Sequence, residues 1–416
     1  MTESEVTLLV TLTGRDRPGV TSRLFGELSV HDLIVLDVEQ VVIRGRLILG
    51  VLLACGQSPD LTAIHRLVRT LATDLGMDAE ITLGSGEQAV RSRGRLHVTV
   101  LGNPLTPPAI AAIAGRIAAT GANIDRIERL ASRPVTCIEF DISGADPDGL
   151  RTALARESAT LGVDVAVQRG GLHRRAMRLV VMDVDSTLLQ DEVIDLLAER
   201  AGRADECAAL TAAAMRGELD FAETLHQRVA LLAGLDEAVL TDLLTHLRLT
   251  PGARTLVRTL SRLGYRCGAV TGGFTQFTDW LTEELGLDYA AANTLEIVDG
   301  KLTGRVTGEL IDRPGKERML RRFAAECGVP LSQTVAVGDG ANDLDMIAAA
   351  GLGIAFNAKP AVRNAADASV NVPQLDVILH LLGISREDVE AADAADLQLA
   401  NGSESSRGSR LTTISR

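Results

Sequence analysis

Aromatic residues are scarce in this sequence. Phe, Trp and Tyr make up 2% of 416 residues, too few to build the stacking platforms that hold single-stranded nucleic acid. Positive charge is also short: 42 Lys and Arg stand against 55 Asp and Glu, a formal net charge of −13. That balance leaves no basic footprint for nucleic acid, so the expected partner is a small molecule, with any basic pocket built locally. The five cysteines, Cys55, Cys137, Cys207, Cys267 and Cys327, are odd in number, dispersed and free of any CxxC pair. Neither a zinc knuckle nor a disulfide framework is signalled, and free thiols in a reducing cytoplasm are expected. No run of about 18 apolar residues occurs, so no membrane span is expected. The N-terminus has no basic segment leading into an apolar core, so no signal peptide is expected. GxxxxGKS and GxxxxGKT are both missing, which argues against P-loop nucleotide chemistry.

What is present is a long chain of ordinary composition, 46% hydrophobic and 23% charged, whose length predicts two or three domains. Residues 6–54 and 94–142 read as a diverged repeat. An offset of 88 sets Gly14 on Gly102 and Asp37 on Asp125. Each copy reads strand, loop, amphipathic helix, strand, strand, with apolar helix positions Val20, Leu24, Leu28 and Ile110, Ile113, Ile117. A further helix follows each, near 60–75 and 147–160, which gives the ferredoxin-like order. The boundaries expected are 1–85 and 90–166, with "VQRGGLHRRAMR" (167–178) as a linker, a third domain over 179–385, and a polar, disordered tail over 386–416.

In the third domain, apolar runs "LVVMDVD", "RCGAVTG", "TVAVGDG" and "LGIAF" alternate with helical stretches, which predicts a doubly wound parallel sheet. Residues 190–250 carry no strand signal and predict a small helical insertion. Asp299-Gly300 inside "LEIVDGKLTGRV" predicts a hairpin. Strands of such a sheet end at one crevice. Three of them end in Asp183 and Asp185; in Thr271, Gly272 and Gly273; and in Asp339, Gly340, Asn342 and Asp343. Lys316 lies near a helix start in "RPGKERML". Bare carboxylates packed together repel, and a hard divalent cation such as Mg²⁺ removes that conflict using few carboxylates plus substrate phosphate. A hydroxyl, an ammonium and backbone N–H groups suit phosphoryl oxygens. The pattern predicts metal-assisted phosphoryl transfer. Cys267, beside the second strand, reads as core.

"GRDRPGVTSRL" (14–24) resembles the opening loop of ACT domains, amino-acid-sensing modules, and the resemblance extends over about residues 1–165 as two copies. It implies a regulatory amino acid at Asp16, Pro18 and Gly19, where the following helix offers free N–H groups to a carboxylate. The second copy has "NPLTPPAI" in place of that loop. Two modules used only for dimerisation are the alternative. Further along, "DVDST", "VTGG", Lys316 and "GDGAND" occur in the order found in the haloacid dehalogenase superfamily, and the chain resembles its phosphoserine phosphatases. The resemblance implies hydrolysis of O-phospho-L-serine to L-serine, the last step of serine biosynthesis, in a cytoplasmic homodimer that L-serine or another amino acid regulates.

By the same resemblance, Asp183 is the nucleophile and Asp185 the general acid/base, while Mg²⁺ is held by Asp183, the carbonyl of Asp185 and Asp339, with Asp343 supporting. Thr271, Gly272, Lys316 and Asn342 meet the phosphate; Glu192 and Arg228 meet the ammonium and carboxylate of the substrate; Met215 and Phe221 supply an apolar wall. A phosphatase or phosphotransferase acting on another small ester, such as phosphoglycolate, shares the core but leaves Glu192 and Arg228 without a purpose. A purely regulatory binding protein has no need of "DVDST" together with "GDGAND".

Overall fold

Alternation sets the first unit, which lies within residues 1–91. In β1 (Val6–Arg15) every second residue, Leu8, Val10 and Leu12, is buried while its neighbours are not. That face packs on Val20, Leu24 and Leu28 of α1 (Val20–Leu28), the stripe expected from the sequence. Burying one such side chain is worth about 1.5–3 kcal/mol. After β2 (Leu33–Ile43) and β3 (Arg46–Cys55), Asp60 caps α2 (Leu61–Leu75) by accepting the N–H of Ala63, and left-handed Gly76 ends it. β4 (Met77–Ser85) completes an antiparallel sheet of order β2-β3-β1-β4. The structure, a computed structural model, describes residues 6–56, 60–85, 96–215 and 221–396.

The second unit, residues 92–416, opens with the repeat: β5 (Leu96–Gly102), α3 (Pro107–Ala119), β6 (Asn123–Ala131), β7 (Thr136–Ser143), α4 (Pro147–Leu161) and β8 (Asp164–Arg169), in the order β6-β7-β5-β8. In α3, Ile113 and Ile117 are buried as expected, with Ala109 beside them, while Ile110 is half-buried. Part of the sheet face that α3 and α4 leave uncovered is buried. Leu101, Cys137 and Ala166 belong to the same hydrophobic core as the seven-stranded sheet that follows.

Residues 167–178 depart from the expected linker. They finish β8, form the short α5 (Leu172–Arg175) and bury Arg174. The Arg174 guanidinium donates to Glu139 at 2.8 and 2.5 Å, and Gln168 donates to the Leu381 carbonyl at 2.8 Å. Basic composition suggested solvent; a buried carboxylate opposite Arg174 reverses that, because a buried charge is tolerated when paired.

The largest sheet has seven strands in the order β12-β11-β10-β9-β13-β14-β15. Its centre is β9 (Leu179–Met182), buried at all four residues, as a strand covered on both faces must be. Four helices follow, α6 (Val193–Arg200), α7 (Ala204–Met215), α8 (Phe221–Ala230) and α9 (Ala238–Leu244), which form the cap. Then come α10 (Ala253–Arg262), β10 (Arg266–Phe274), α11 (Thr275–Leu285), β11 (Tyr289–Val298) and β12 (Lys301–Thr307). Asp299 and Gly300 have φ of 50° and 74°, the paired left-handed residues of a tight hairpin. The chain continues through α12 (Arg313–Cys327), β13 (Thr334–Gly338), α13 (Leu344–Ala349), β14 (Leu352–Phe356), α14 (Pro360–Ala365), β15 (Ala368–Val370) and α15 (Ile378–Leu381). β15 went unnoticed in the sequence, since three residues are too few to show a pattern.

The expected tail begins too early. Residues 386–396 are helical (α16) and bury Val389. Ion pairs run from this helix to Arg129 and Arg133 on one side and to Arg258 and Arg262 on the other. Exposed pairs contribute about 0–1 kcal/mol each, so burial of Val389 anchors the helix and the pairs set its direction. The rest of the expected tail, 397–416, lies outside the described residues.

Candidate active site

β9 stops one residue short of the first carboxylate. Asp183 accepts the N–H of Val184 at 2.8 Å, and residues Val184–Leu188 make a single wide helical turn in which Asp185 is extended and Ser186 has φ of 58°. A left-handed serine stores strain, a feature of functional loops. The turn points Asp185 at β10: its Oδ2 accepts from Thr271 Oγ1 at 2.8 Å, and its Oδ1 accepts the N–H of Val193 at 3.0 Å. Thr271 in turn accepts the N–H of Gly273 at 2.8 Å. Thr187, fully buried, donates to Asp339 at 3.1 Å.

Lys316 comes from the first turn of α12 and is wholly buried. Its Nζ lies 2.6 Å from Asp183 Oδ1 and 2.6 Å from Asp343 Oδ1. Burial alone would lower the lysine pKa, but the two ion pairs outweigh it and hold the ammonium above its ordinary value. Asp343 Oδ2 accepts the N–H of Gly340 at 2.9 Å. It packs so close to Gly338 that a Cβ there would come within 2.4 Å of its carboxyl.

Carboxylate oxygens of Asp183, Asp339 and Asp343 all lie within 4.8 Å of one another. Burial, then repulsion from Asp343, raises Asp183 well above the carboxylate range. The same two causes lift Asp339 to about 6. One ammonium among three carboxylates leaves an excess of negative charge, so this donor set fits a hard divalent cation. Gly272 sits beside the pocket, its carbonyl held by Asn293, and Asn342 lies half-buried on the turn after β13.

The cap supplies the rest. Glu192 opens α6 and accepts from Ser186 Oγ at 2.9 Å. The residue is exposed, yet protein hems in the carboxyl; this partial desolvation and repulsion from Asp185 raise it to about 7, with the nearby Arg228 acting in the opposite sense. Arg228, on α8, is not free: Nη2 donates to Asp195 at 2.8 Å and Nε to the Cys207 sulfur at 3.3 Å. Met215 ends α7 and Phe221 begins α8, but their side chains lie outside the described residues.

Known proteins share this arrangement. The haloacid dehalogenase-like hydrolase family matches residues 180–348, and ACT domain families match 6–82 and 96–168. Phosphoserine phosphatase of Streptomyces coelicolor is 62% identical over 95% of this chain and 97% of its own length. Phosphoserine phosphatase SerB2 of Mycobacterium tuberculosis is 53% identical over 94% and 97%. The chain belongs to the phosphoserine phosphatase family of haloacid dehalogenase-like hydrolases, with two N-terminal ACT domains. Among solved structures, a probable phosphoserine phosphatase from Vibrio cholerae matches with a TM-score of 0.56 and 35% identity, over 73% of this chain and 91% of that one.

In the first ACT domain, Asp16, Pro18 and Gly19 line a cavity of about 320 Å³ with Thr21, Ser22, Gln40 and Leu47. Gly19 has φ of 93° and immediately precedes α1, so the turn favours glycine and exposes the helix's first N–H groups. In the second ACT domain, Leu105 packs against Gly102, the counterpart of Gly14, within 3.1 Å of where a Cβ would sit, and Pro107 stands at the position of Gly19.

Of the phosphatase residues expected from the sequence, Asp183, Asp185, Thr271, Lys316, Asp339 and Asp343 form one connected cluster, and Glu192 joins it through Ser186. Asn293, Asp195 and Cys207 were missed. Ser186 and Thr187 stood inside a motif whose carboxylates drew all the attention. No helix of the described residues is long and apolar enough to cross a membrane.

Proposed function

We propose that this chain hydrolyses O-phospho-L-serine to L-serine and phosphate. One observation carries the reading: the Glu192 carboxyl, tied to the nucleophile turn through Ser186, lies within electrostatic reach of both Asp185 and Arg228. An amino-acid phosphate needs a carboxylate for its ammonium and a guanidinium for its carboxylate beside the phosphoryl site.

Asp183 attacks phosphorus. Its Oδ1 is occupied by Lys316 and the Val184 N–H, which leaves Oδ2 without a partner among the described residues. As the Asp183–phosphorus bond forms, the bond to the serine oxygen breaks, and Asp185 gives that oxygen its proton. Asp185 then takes a proton from water, the resulting hydroxide attacks phosphorus, and the Asp183 carboxylate leaves with phosphate released. Thr271 holds Asp185 in place for both transfers. Lys316 pulls the Asp183 pKa down against burial and balances charge on the phosphoryl oxygens. Asp183, the carbonyl of Asp185 and Asp339 would hold Mg²⁺, with Asp343 fixing Lys316 beside them. When bound, the cation neutralises charge between nucleophile and phosphate.

The cavity at Asp16, Pro18 and Gly19 supports a second role, binding of a free amino acid with its carboxylate at the start of α1. L-serine, the product, is the effector that fits a biosynthetic enzyme. A site of this kind placed between two copies implies a homodimer. Phosphate release from a panel of phosphate esters, with and without Mg²⁺, tests the catalytic reading. Turnover of O-phospho-L-serine no faster than that of phosphoglycolate overturns it.

A further inference from the structure

Arg228 is held by two residues from two other cap helices. Asp195 lies on α6 and Cys207 on α7. The Cys207 sulfur is itself 3.4 Å from Asp195 Oδ1, so the three side chains close a ring. Cys207 is 1% exposed, and the Arg228 side chain 15%.

The edge they occupy matters. A guanidinium is a rigid plane with two faces for bidentate pairing: the side edge, Nε with Nη2, and the end edge, Nη1 with Nη2. Cys207 takes Nε–H and Asp195 takes an Nη2 hydrogen, which fills the side edge. Nη1 has no partner among the described residues, so the end edge stays open to a second carboxylate.

We propose that Asp195 and Cys207 are positioning residues for substrate selectivity: they fix the Arg228 plane so that its end edge receives the carboxylate of the amino-acid phosphate. The inference rests on the functional reading above. Two effects oppose each other. Asp195 offsets part of the guanidinium charge, which weakens its pull on a second carboxylate. It also removes rotamer freedom that a free arginine loses on binding. Orientation outweighs charge here, because two parallel hydrogen bonds demand a fixed plane while the half-exposed Asp195 is screened by water. Cys207 suits the middle place because a neutral thiol can accept from Nε and donate to Asp195 at once.

The bland alternative is that these contacts only tie α6, α7 and α8 together. Substrate selectivity separates the two. O-Phosphoethanolamine keeps the phosphate and the ammonium but lacks the carboxylate, so the ratio of kcat/KM for O-phospho-L-serine over O-phosphoethanolamine reports the Arg228 contact alone. With the full-length protein, Asp195→Ala should lower that ratio about tenfold, mainly through KM for O-phospho-L-serine. Asp195→Asn retains an oxygen acceptor and should recover most of the ratio. Cys207→Val should lower it severalfold, and Cys207→Ser should restore it. A ratio within about twofold of wild type in Asp195→Ala, or equal losses on both substrates, overturns the proposal. So does an Asp195→Asn variant as impaired as Asp195→Ala, since charge rather than placement would then govern. Should Asp195→Ala fail to fold, Cys207→Val against Cys207→Ser decides by the same ratio. Wild-type protein that ignores O-phospho-L-serine sinks the functional reading itself, whereas an unmoved ratio sinks only the positioning inference.

Discussion

Asn293 donates its side-chain amide to the carbonyl of Gly272 at 2.8 Å, and its own oxygen accepts the N–H of Ile311 at 2.9 Å. One side chain, 1% exposed, thus joins the loop after Thr271 to the segment that leads into Lys316. Asn293→Ala leaves a buried N–H and a buried carbonyl unpaired, at about 1–3 kcal/mol each. Urea denaturation should show a stability loss of that order, and kcat should fall about tenfold with little change in KM, because the transition-state contacts of two motifs lose their spacing. Lost stability with an unchanged kcat would make Asn293 a fold residue only.

The nucleophile role proposed for Asp183 has the simplest test. Asp183→Asn should reduce turnover of O-phospho-L-serine by several orders of magnitude, since a carboxamide is a poor nucleophile. Acid quenching should trap an aspartyl-phosphate in the wild type and none in the variant. Turnover close to that of the wild type would exclude a covalent route through Asp183.

Carboxylates of Asp183, Asp339 and Asp343 crowd one pocket with a single ammonium. Adding Mg²⁺ should therefore raise the thermal unfolding midpoint, by about 2.7 kcal/mol of stability at a hundredfold excess over Kd. Chelation should reverse the rise and stop turnover. Asp339→Asn should abolish the shift while leaving the Lys316 pairs intact. A midpoint that ignores divalent cations would mean that Lys316 alone balances the pocket.

Much of this is legible in the sequence. β9 announced itself because a strand covered on both faces must be apolar throughout, and chemistry-bearing residues after such a run stand out. Asp299-Gly300 specified its hairpin through backbone conformation alone. Asn293 gave no signal: it lies in mid-strand, and its two partners are 21 and 18 residues away in sequence, joined only by the fold. Arg174 misled for a related reason. Its composition was that of a solvated linker, and only the packing of β7 shows that Glu139 waits for it. The Asp195–Cys207 support of Arg228 spans three helices, so no local spacing encodes it.

Glu192 carries a pH dependence. Its carboxyl holds a proton up to about 7, and the neutral acid cannot pair with an ammonium. KM for O-phospho-L-serine should thus climb as the pH falls below about 7, beyond the change caused by the substrate phosphate itself. The folded protein binds this proton more tightly than the unfolded chain does. The stability it contributes is therefore present below the ordinary carboxylate value and lost as pH rises through about 7. Glu192→Gln should flatten the KM profile, weaken binding at alkaline pH, and raise the thermal midpoint there. An unaltered profile in the variant would assign the titration to another group.

Inhibition by L-serine has two explanations that kinetics can separate. As product, serine can occupy the active site between Glu192 and Arg228, and saturating substrate then overcomes it. Bound instead at Asp16, Pro18 and Gly19, it shifts the enzyme towards a state of lower kcat, which saturating substrate does not restore; a coupling of about 1–3 kcal/mol is enough. Gly19→Gln probes the second site directly. A Cβ there meets nothing nearer than Ser22 Oγ at 3.9 Å, so the longer side chain has room to enter the cavity, although the left-handed backbone adds about 1–2 kcal/mol of strain. The part of serine inhibition that persists at saturating O-phospho-L-serine should disappear in this variant, while the competitive part remains. If both parts survive Gly19→Gln, the inhibition does not run through this cavity and serine acts as product alone.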